Sequence, residues 1–331
     1  MKNFLSALAL LLSLQAHAQM TESYAPIVGY NPNQGLILGA AAFLKSERDY
    51  TDIEGMGTLN DVYAGVLNYR RKLSPRVTAE IDNDFNSFFD LYFGEGMQTR
   101  LEDKVRLDQL RYLGQLKLPI KVAEGLSLGP IAYDRVRRET GVDGDGSRRL
   151  IAGEDTVEMG LAATYDGRDN EFSPTHGAYA DLRALNHPTP SGSGGNFSQA
   201  ELDLRGYQSI GPVVIAGHAL GAWSWGDPSY LYRYQLGGSD LLRGFYGNRF
   251  RGKNKAAAQL EARFPIWNWL SGDAFADSGE LSDGEFKGDV QTTYGAGIRI
   301  ALPPSGMMKA RIDYGQATDQ SGIYVAFGHA F

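Results

Sequence analysis

Read at every second position, Ala256-Ala257-Ala258-Gln259-Leu260-Glu261-Ala262-Arg263-Phe264 has two different faces. Ala256, Ala258, Leu260, Ala262 and Phe264 are apolar, whereas Gln259, Glu261 and Arg263 between them are polar or charged. A period of two marks an extended strand with one face in an apolar medium and the other among polar groups. The alternation recurs in Gln199 to Tyr207, where Ala200, Leu202, Leu204 and Gly206 oppose Gln199, Glu201, Asp203 and Arg205. Val157 to Tyr165, Ala178 to Ala184, Tyr294 to Ile300 and Met308 to Tyr314 follow the same rule; the last sets Lys309, Arg311 and Asp313 opposite Ala310, Ile312 and Tyr314. Each is about one tilted bilayer crossing long, since a membrane strand needs about 9–11 residues and these alternations run for seven to nine.

A soluble sandwich alternates in the same way with its apolar face inward, so periodicity alone does not choose between the two. Two further features favour a barrel in a bilayer. Aromatics gather at strand ends (Trp223, Trp225, Tyr230, Tyr232, Tyr234, Trp267, Trp269), as interfacial girdles require. The chain also closes on Ile323, Val325, Phe327, His329 and Phe331, five alternate positions with a terminal aromatic. That ending resembles the C-terminal insertion signal of bacterial outer-membrane proteins, carried here by Phe327 and Phe331, with His329 departing from the pattern. The expected fold is therefore all-β: a closed antiparallel transmembrane β-barrel.

Composition agrees. The 331 residues include 41 Gly, 18 Tyr, 15 Phe and 4 Trp but no Cys, which excludes disulfide scaffolds, thiolate metal sites, cysteine nucleophiles and lipid-anchored cysteines. A net charge of -7 gives no footprint for nucleic acid. At the start, Met1-Lys2-Asn3, the apolar run Phe4 to Leu14 and Ala16-His17-Ala18 predict a secretory signal peptide over residues 1–18, leaving 19–331 as one outer-membrane barrel domain. Beyond that segment no run reaches the ~18 apolar residues a membrane helix needs.

Connections are expected to alternate in length, with short turns on the periplasmic side and longer loops outside. Short ones are Arg71 to Pro75, Pro119 to Gly125, Ser209 to Pro212, Pro265 to Trp269 and Leu302 to Gly306. Longer ones are Lys45 to Asn60, Gly94 to Lys104, Arg138 to Glu154, Asn186 to Asn196, Gly226 to Gly252 and Glu280 to Asp289. Fourteen strands are directly countable from Gly35 onward; Tyr24 to Tyr30 and the weak segment Glu47 to Ile53 would bring the total to sixteen. Ser191-Gly192-Ser193-Gly194-Gly195 reads as a flexible loop tip, and Asp143-Gly144-Asp145-Gly146-Ser147 as an acidic surface turn.

Within the longest connection lies Leu242-Arg243-Gly244-Phe245, preceded by Leu236-Gly237-Gly238. It is followed by Glu261-Ala262-Arg263-Phe264-Pro265 and Phe275-Ala276-Asp277-Ser278-Gly279. Upstream stands Tyr165-Asp166-Gly167-Arg168-Asp169-Asn170 with Pro174-Thr175-His176-Gly177. These four ordered elements resemble the superfamily of outer-membrane insertases and two-partner-secretion translocases that includes BamA, TamA and FhaC, also called the bacterial surface antigen family. The resemblance implies sixteen strands and a long sixth extracellular loop folded into the lumen, its arginine meeting acidic residues on the inner wall. Carried over, Arg243 pairs with Asp277 and Glu261, while Phe275 and Gly279 shape the wall against which Gly244 and Phe245 pack. Parity independently places Glu261 on the polar face of its strand, and Asp277 on the face it shares with Asp273. A guanidinium suits the position because its planar fork can engage two carboxylates at once.

Members of that superfamily carry periplasmic POTRA domains of roughly 75 residues, and no such domain fits between Gln19 and the first strand, so a short form is expected. The implied function is assistance in insertion, assembly or translocation of proteins or lipids through a lateral seam. Its partners are outer-membrane lipids and, during biogenesis, the barrel-assembly machinery, with no named client. The alternative is a passive or plugged pore. A lipid hydrolase built on His218 ranks below both, because nothing brings a Ser and an acid to it. No enzyme activity and no cofactor are expected, and His176, His187, His218 and His329 are not at metal-ligand spacing.

Overall fold

On strand after strand the charged face is the buried one. Gln259, Glu261 and Arg263 are buried while Leu260, between them, is 56% exposed; Leu161, Trp225, Tyr294 and Ile323 are likewise exposed large apolar residues. A water-soluble protein has the opposite arrangement. Here the apolar side chains face outward and the ionic ones enclose a lumen, as a bilayer-spanning barrel requires. The computed structural model describes residues 21–31, 35–58, 62–142, 148–188, 195–302 and 309–331. The expected signal segment 1–18, the turn 143–147, the loop tip 191–194 and most of the turn at 303–306 lie outside these.

Among the described residues sixteen strands make the wall. They are β1 (Thr21–Asn31), β2 (Gly35–Lys45), β3 (Asp49–Thr58), β4 (Tyr63–Lys72), β5 (Thr78–Tyr92), β6 (Val105–Lys117), β7 (Leu126–Val142) and β8 (Arg148–Asp166). The second half comprises β9 (Gly177–His187), β10 (Phe197–Ile210), β11 (Val213–Gly226), β12 (Asn254–Trp267), β13 (Leu270–Ser282), β14 (Gln291–Ala301), β15 (Lys309–Gln316) and β16 (Ser321–Phe327). Each pairs antiparallel with its sequence neighbours, and a short strand, Ile120–Ala123, continues the line of β6 along the foot of β7. Among the described residues the ring is barely closed: β1 and β16 share one residue pair there, Tyr30 with Val325, against eleven pairs between β1 and β2 and seven between β15 and β16.

Both doubtful segments are strands, so the count is sixteen rather than fourteen. Lys45 to Asn60, expected as a long loop, is instead a tight turn at 46–48 followed by β3. Its periodicity is hidden because Ile53 is the one large apolar side chain among its outward positions. Arg138 to Glu154 is also mostly strand, since β7 and β8 run on as a long charged hairpin. There the charges mark cross-strand pairing, as between Arg138 and Asp155 at 2.6 Å, rather than a solvated loop.

Residues 227–253 fold back into the barrel and carry their own ribbon, Tyr234–Leu236 against Phe250–Gly252. Tyr232 and Tyr234 are consequently buried inside and do not belong to a girdle, whereas Trp223, Trp225, Trp267 and Trp269 are exposed on the outside, the last two stacked at 6.1 Å. The alternation expected to continue to the C terminus stops at Phe327. Gly328 adopts φ 77°, and the last residues turn into the lumen, where Phe331 is buried against Tyr207 and His218.

Candidate functional site

The inward loop is held by apolar packing before any charge is considered. Leu236, Leu242, Phe245 and Phe250 are all but fully buried and form one cluster with Met97, Ala257, Leu281 and Ala317 from the wall and the neighbouring loop. Leu242 sits at φ 58°, a left-handed conformation that costs a non-glycine residue about 1–3 kcal/mol and persists where surrounding contacts impose it. Gly244 follows at φ 113°, a region open to glycine. Between these two bends the Arg243 side chain projects straight at the wall.

Arg243 is completely buried and meets three carboxylates. Its Nε and Nη2 donate to the two oxygens of Asp277, both at 2.9 Å, and its backbone N–H donates to Asp277 Oδ2 at 3.0 Å. Nη1 donates to Glu261 at 2.7 Å and lies 3.4 Å from Asp313. The guanidinium also stacks on Phe275, 3.4 Å from the ring centroid. Burial alone would lower the Arg243 pKa; Asp277, Glu261 and Asp313 outweigh it and raise the guanidinium above its ordinary value.

The acidic ring is itself anchored. Arg263 donates to Glu261 at 2.8 Å, Arg299 bridges Asp273 at 2.9 Å and Asp313, and Arg311 contacts Asp313 and reaches Asp240 in the loop. Asp277 and Glu261 were legible through the resemblance; Asp313, Arg299 and Arg311 were legible by parity as lumenal residues but not as parts of this cluster. The wall against Gly244 is also a different one from that expected. A Cβ at Gly315 on β15 would lie 2.5 Å from the Gly244 nitrogen, so backbone meets backbone there. Gly279 instead makes room for Leu236, whose Cδ2 would lie 2.7 Å from an added Cβ.

Tyr324 on β16, which the sequence did not single out, closes the site: its hydroxyl accepts from Gly244 N–H at 3.0 Å and donates to the Phe245 carbonyl at 2.6 Å. Tyr324→Phe leaves a buried N–H and a buried C=O without partners, a loss of about 1–3 kcal/mol. We expect the midpoint of barrel unfolding in urea to fall while the folded protein remains recoverable; an unchanged midpoint would show that water replaces the hydroxyl.

A second loop lies over the first. Residues 93–104 contact it through Phe93 on Tyr246 at 6.1 Å and Arg249 donating to the Thr99 carbonyl at 2.7 Å, and they are tied to the wall where Leu281 N–H of β13 donates to Met97 Sδ at 3.2 Å. At the other mouth Arg263 donates to the Phe331 carbonyl at 3.1 Å. Phe327 is the last paired residue of β16, opposite Ala310. His218 is held by Gln259 at 2.7 Å and Asp203 at 3.1 Å, with no serine among its partners in the described residues.

The shape is shared with solved barrels. BamA from Haemophilus ducreyi, in a form lacking POTRA domains 1–3, superposes with a TM-score of 0.67 at 14% identity, covering 93% of this chain and 70% of that one. CdiB from Acinetobacter baumannii gives 0.63 at 10% identity, covering 95% of this chain and 61% of that one. CdiB from Escherichia coli gives 0.63 at 14%, covering 96% and 68%. At such identities the likeness speaks for fold alone. No curated protein matches the chain in sequence. The Omp85 superfamily domain, however, matches residues 80–331, from β5 to the C terminus and including the arginine loop with its acidic wall; the chain belongs to the Omp85 superfamily.

Proposed function

We propose that this chain is an integral protein of the bacterial outer membrane that assists insertion, assembly or translocation of proteins or lipids through the junction of β1 and β16. The observation that carries the reading is that β1 and β16 share a single residue pair among the described residues. A ladder hydrogen bond contributes about 0.5–1.5 kcal/mol net, so a junction lacking most of them is the line along which the wall parts at least cost. Pro26 in β1 supplies no N–H to either neighbour. Membership of a superfamily of insertases and translocases supports the same assignment, in which the barrel works without catalysis.

Arg243, Gly244 and Phe245, with Glu261, Phe275, Asp277 and Gly279, then act as the lock that holds the loop in the lumen. Phe327 and Phe331 serve as the insertion signal read by the barrel-assembly machinery, and residues 1–18 as the export signal, so that the mature protein begins at Gln19. The absence of native cysteine makes the seam directly testable. A Tyr30→Cys/Val325→Cys protein should lose its ability to restore the outer-membrane protein and lipid profile of a deletion strain when oxidised, and regain it on reduction. Full restoration by the oxidised form would rule out lateral opening.

A further inference from the structure

The inner wall is ionic across most of the barrel but not beside the seam. β2 carries no polar side chain from Gly35 to Leu44, so it is apolar on both faces. Outward it exposes Leu36 and Leu38. Inward, Ile37 joins Met56, Val62 and Phe88 around a cavity of about 260 Å³ whose far end is lined by Asn86 and Arg111. The register makes this a continuous lane: Ile27, Gly39, Met56, Ala64, Asn86 and Arg111 stand opposite one another across β1 to β6. Five strand-to-strand steps span about 24 Å. The lane begins at the strand that forms the seam and ends at a cation.

Arg111 is not consumed by the wall. Its guanidinium rests on the Phe88 ring at 4.7 Å and donates to Gln109 Oε1 at 2.6 Å; among the described residues it has no ion-pair partner. Asp90, Glu139 and Asp84 act on it through space without a direct ion pair, each accepting a hydrogen bond from an amide instead: Asp90 from Asn248, Glu139 from Gln109 and Asp84 from Asn86. The row of residues below the lane carries Glu54 and Asp84, which disfavour an anion along its middle, and Arg111 is the cation among the residues lining the cavity.

We propose that this lane binds an acylated anion. An alkyl chain lies along Ile37, Met56 and Phe88, and its carboxylate or phosphate accepts charge-assisted hydrogen bonds from Arg111, with Asn86 beside it. A partner's apolar strand would cover the same wall but would bring no obligatory negative charge to Arg111. The inference goes beyond the seam proposal and does not depend on it, because the lane opens to the lumen whether or not β1 and β16 separate.

The test is photolabelling of the purified full-length barrel with diazirine-bearing palmitate and, separately, with phosphatidylglycerol carrying the diazirine in one acyl chain; labelled residues are mapped by mass spectrometry. Labelling of Ile37, Met56 and Phe88 by either probe is expected, and the probe that labels tells a carboxylate from a phosphate lipid. In the wild-type protein the uncharged diazirine hexadecanol should label these positions at most a tenth as strongly, a comparison that needs no variant to fold. Arg111→Gln should reduce lane labelling by the acidic probe at least tenfold, and Arg111→Lys should largely retain it. Labelling confined to the outward Leu36 and Leu38, or equal labelling by acid and alcohol, would overturn the proposal.

Discussion

Arg243→Glu should all but abolish recovery of folded barrel. The substitution removes the cation from a fully desolvated cluster and places a fourth carboxylate among Asp277, Glu261 and Asp313. Breaking a buried pair costs about 3–5 kcal/mol, because the surviving charge is left uncompensated, and this corresponds to at least a hundredfold in the folding equilibrium. The loss should be read as disappearance of the compact, heat-modifiable band on gels. Asp277→Arg in the same chain restores a guanidinium facing a carboxylate and should recover part of the yield, although Glu261 then lies nearer a like charge than before. Wild-type yield in the single variant would mean that the cluster does not hold the barrel.

Gly315→Val is expected to release the loop while sparing the wall. The added Cβ would meet the Gly244 nitrogen at 2.5 Å and the Arg243 carbonyl carbon and oxygen at 2.6 and 2.8 Å, all backbone atoms that cannot rotate aside. Valine itself suits a strand, so β15 should still form. The loop must lift, drawing Arg243 off Asp277. We expect proteolysis within 227–253 to accelerate by at least about fivefold, given roughly 1–3 kcal/mol for overpacking, and single-channel conductance to rise as the lumen clears. Gly217→Val is the control, because nothing lies within 4 Å of its added Cβ; equal behaviour of the two variants would sink the close-approach argument.

The two variants separate contributions that the sequence displays unequally. Arg243, Glu261 and Asp277 stand out in the chain because a charged residue in a fixed motif, or on the polar parity of a strand, is visible without coordinates. Gly315 and Tyr324 are not: a glycine in a strand and a tyrosine near a strand end have many roles, and theirs exists only because a loop some seventy to eighty residues away arrives at that spot. Asp313 lies between these cases, lumenal by parity and assigned to Arg243 only by register across β13, β14 and β15. The same difference explains the misread connections. β3 has too few large outward side chains to display its period, and the charged hairpin of β7 and β8 looks like a loop until its charges are seen to face one another.

By itself the sequence determined the repeating two-sided strand, because that follows from local periodicity; the outward sense of its apolar side came from the aromatic strand ends and the C-terminal pattern, and the arginine motif from the family resemblance. Tertiary structure alone decided the sparse pairing of β1 with β16 among the described residues, the inward turn at Gly328 and the apolar lane ending at Arg111. Each of these depends on which rows of residues align across strands distant in the chain, and a shift of one residue would send every such side chain to the opposite face.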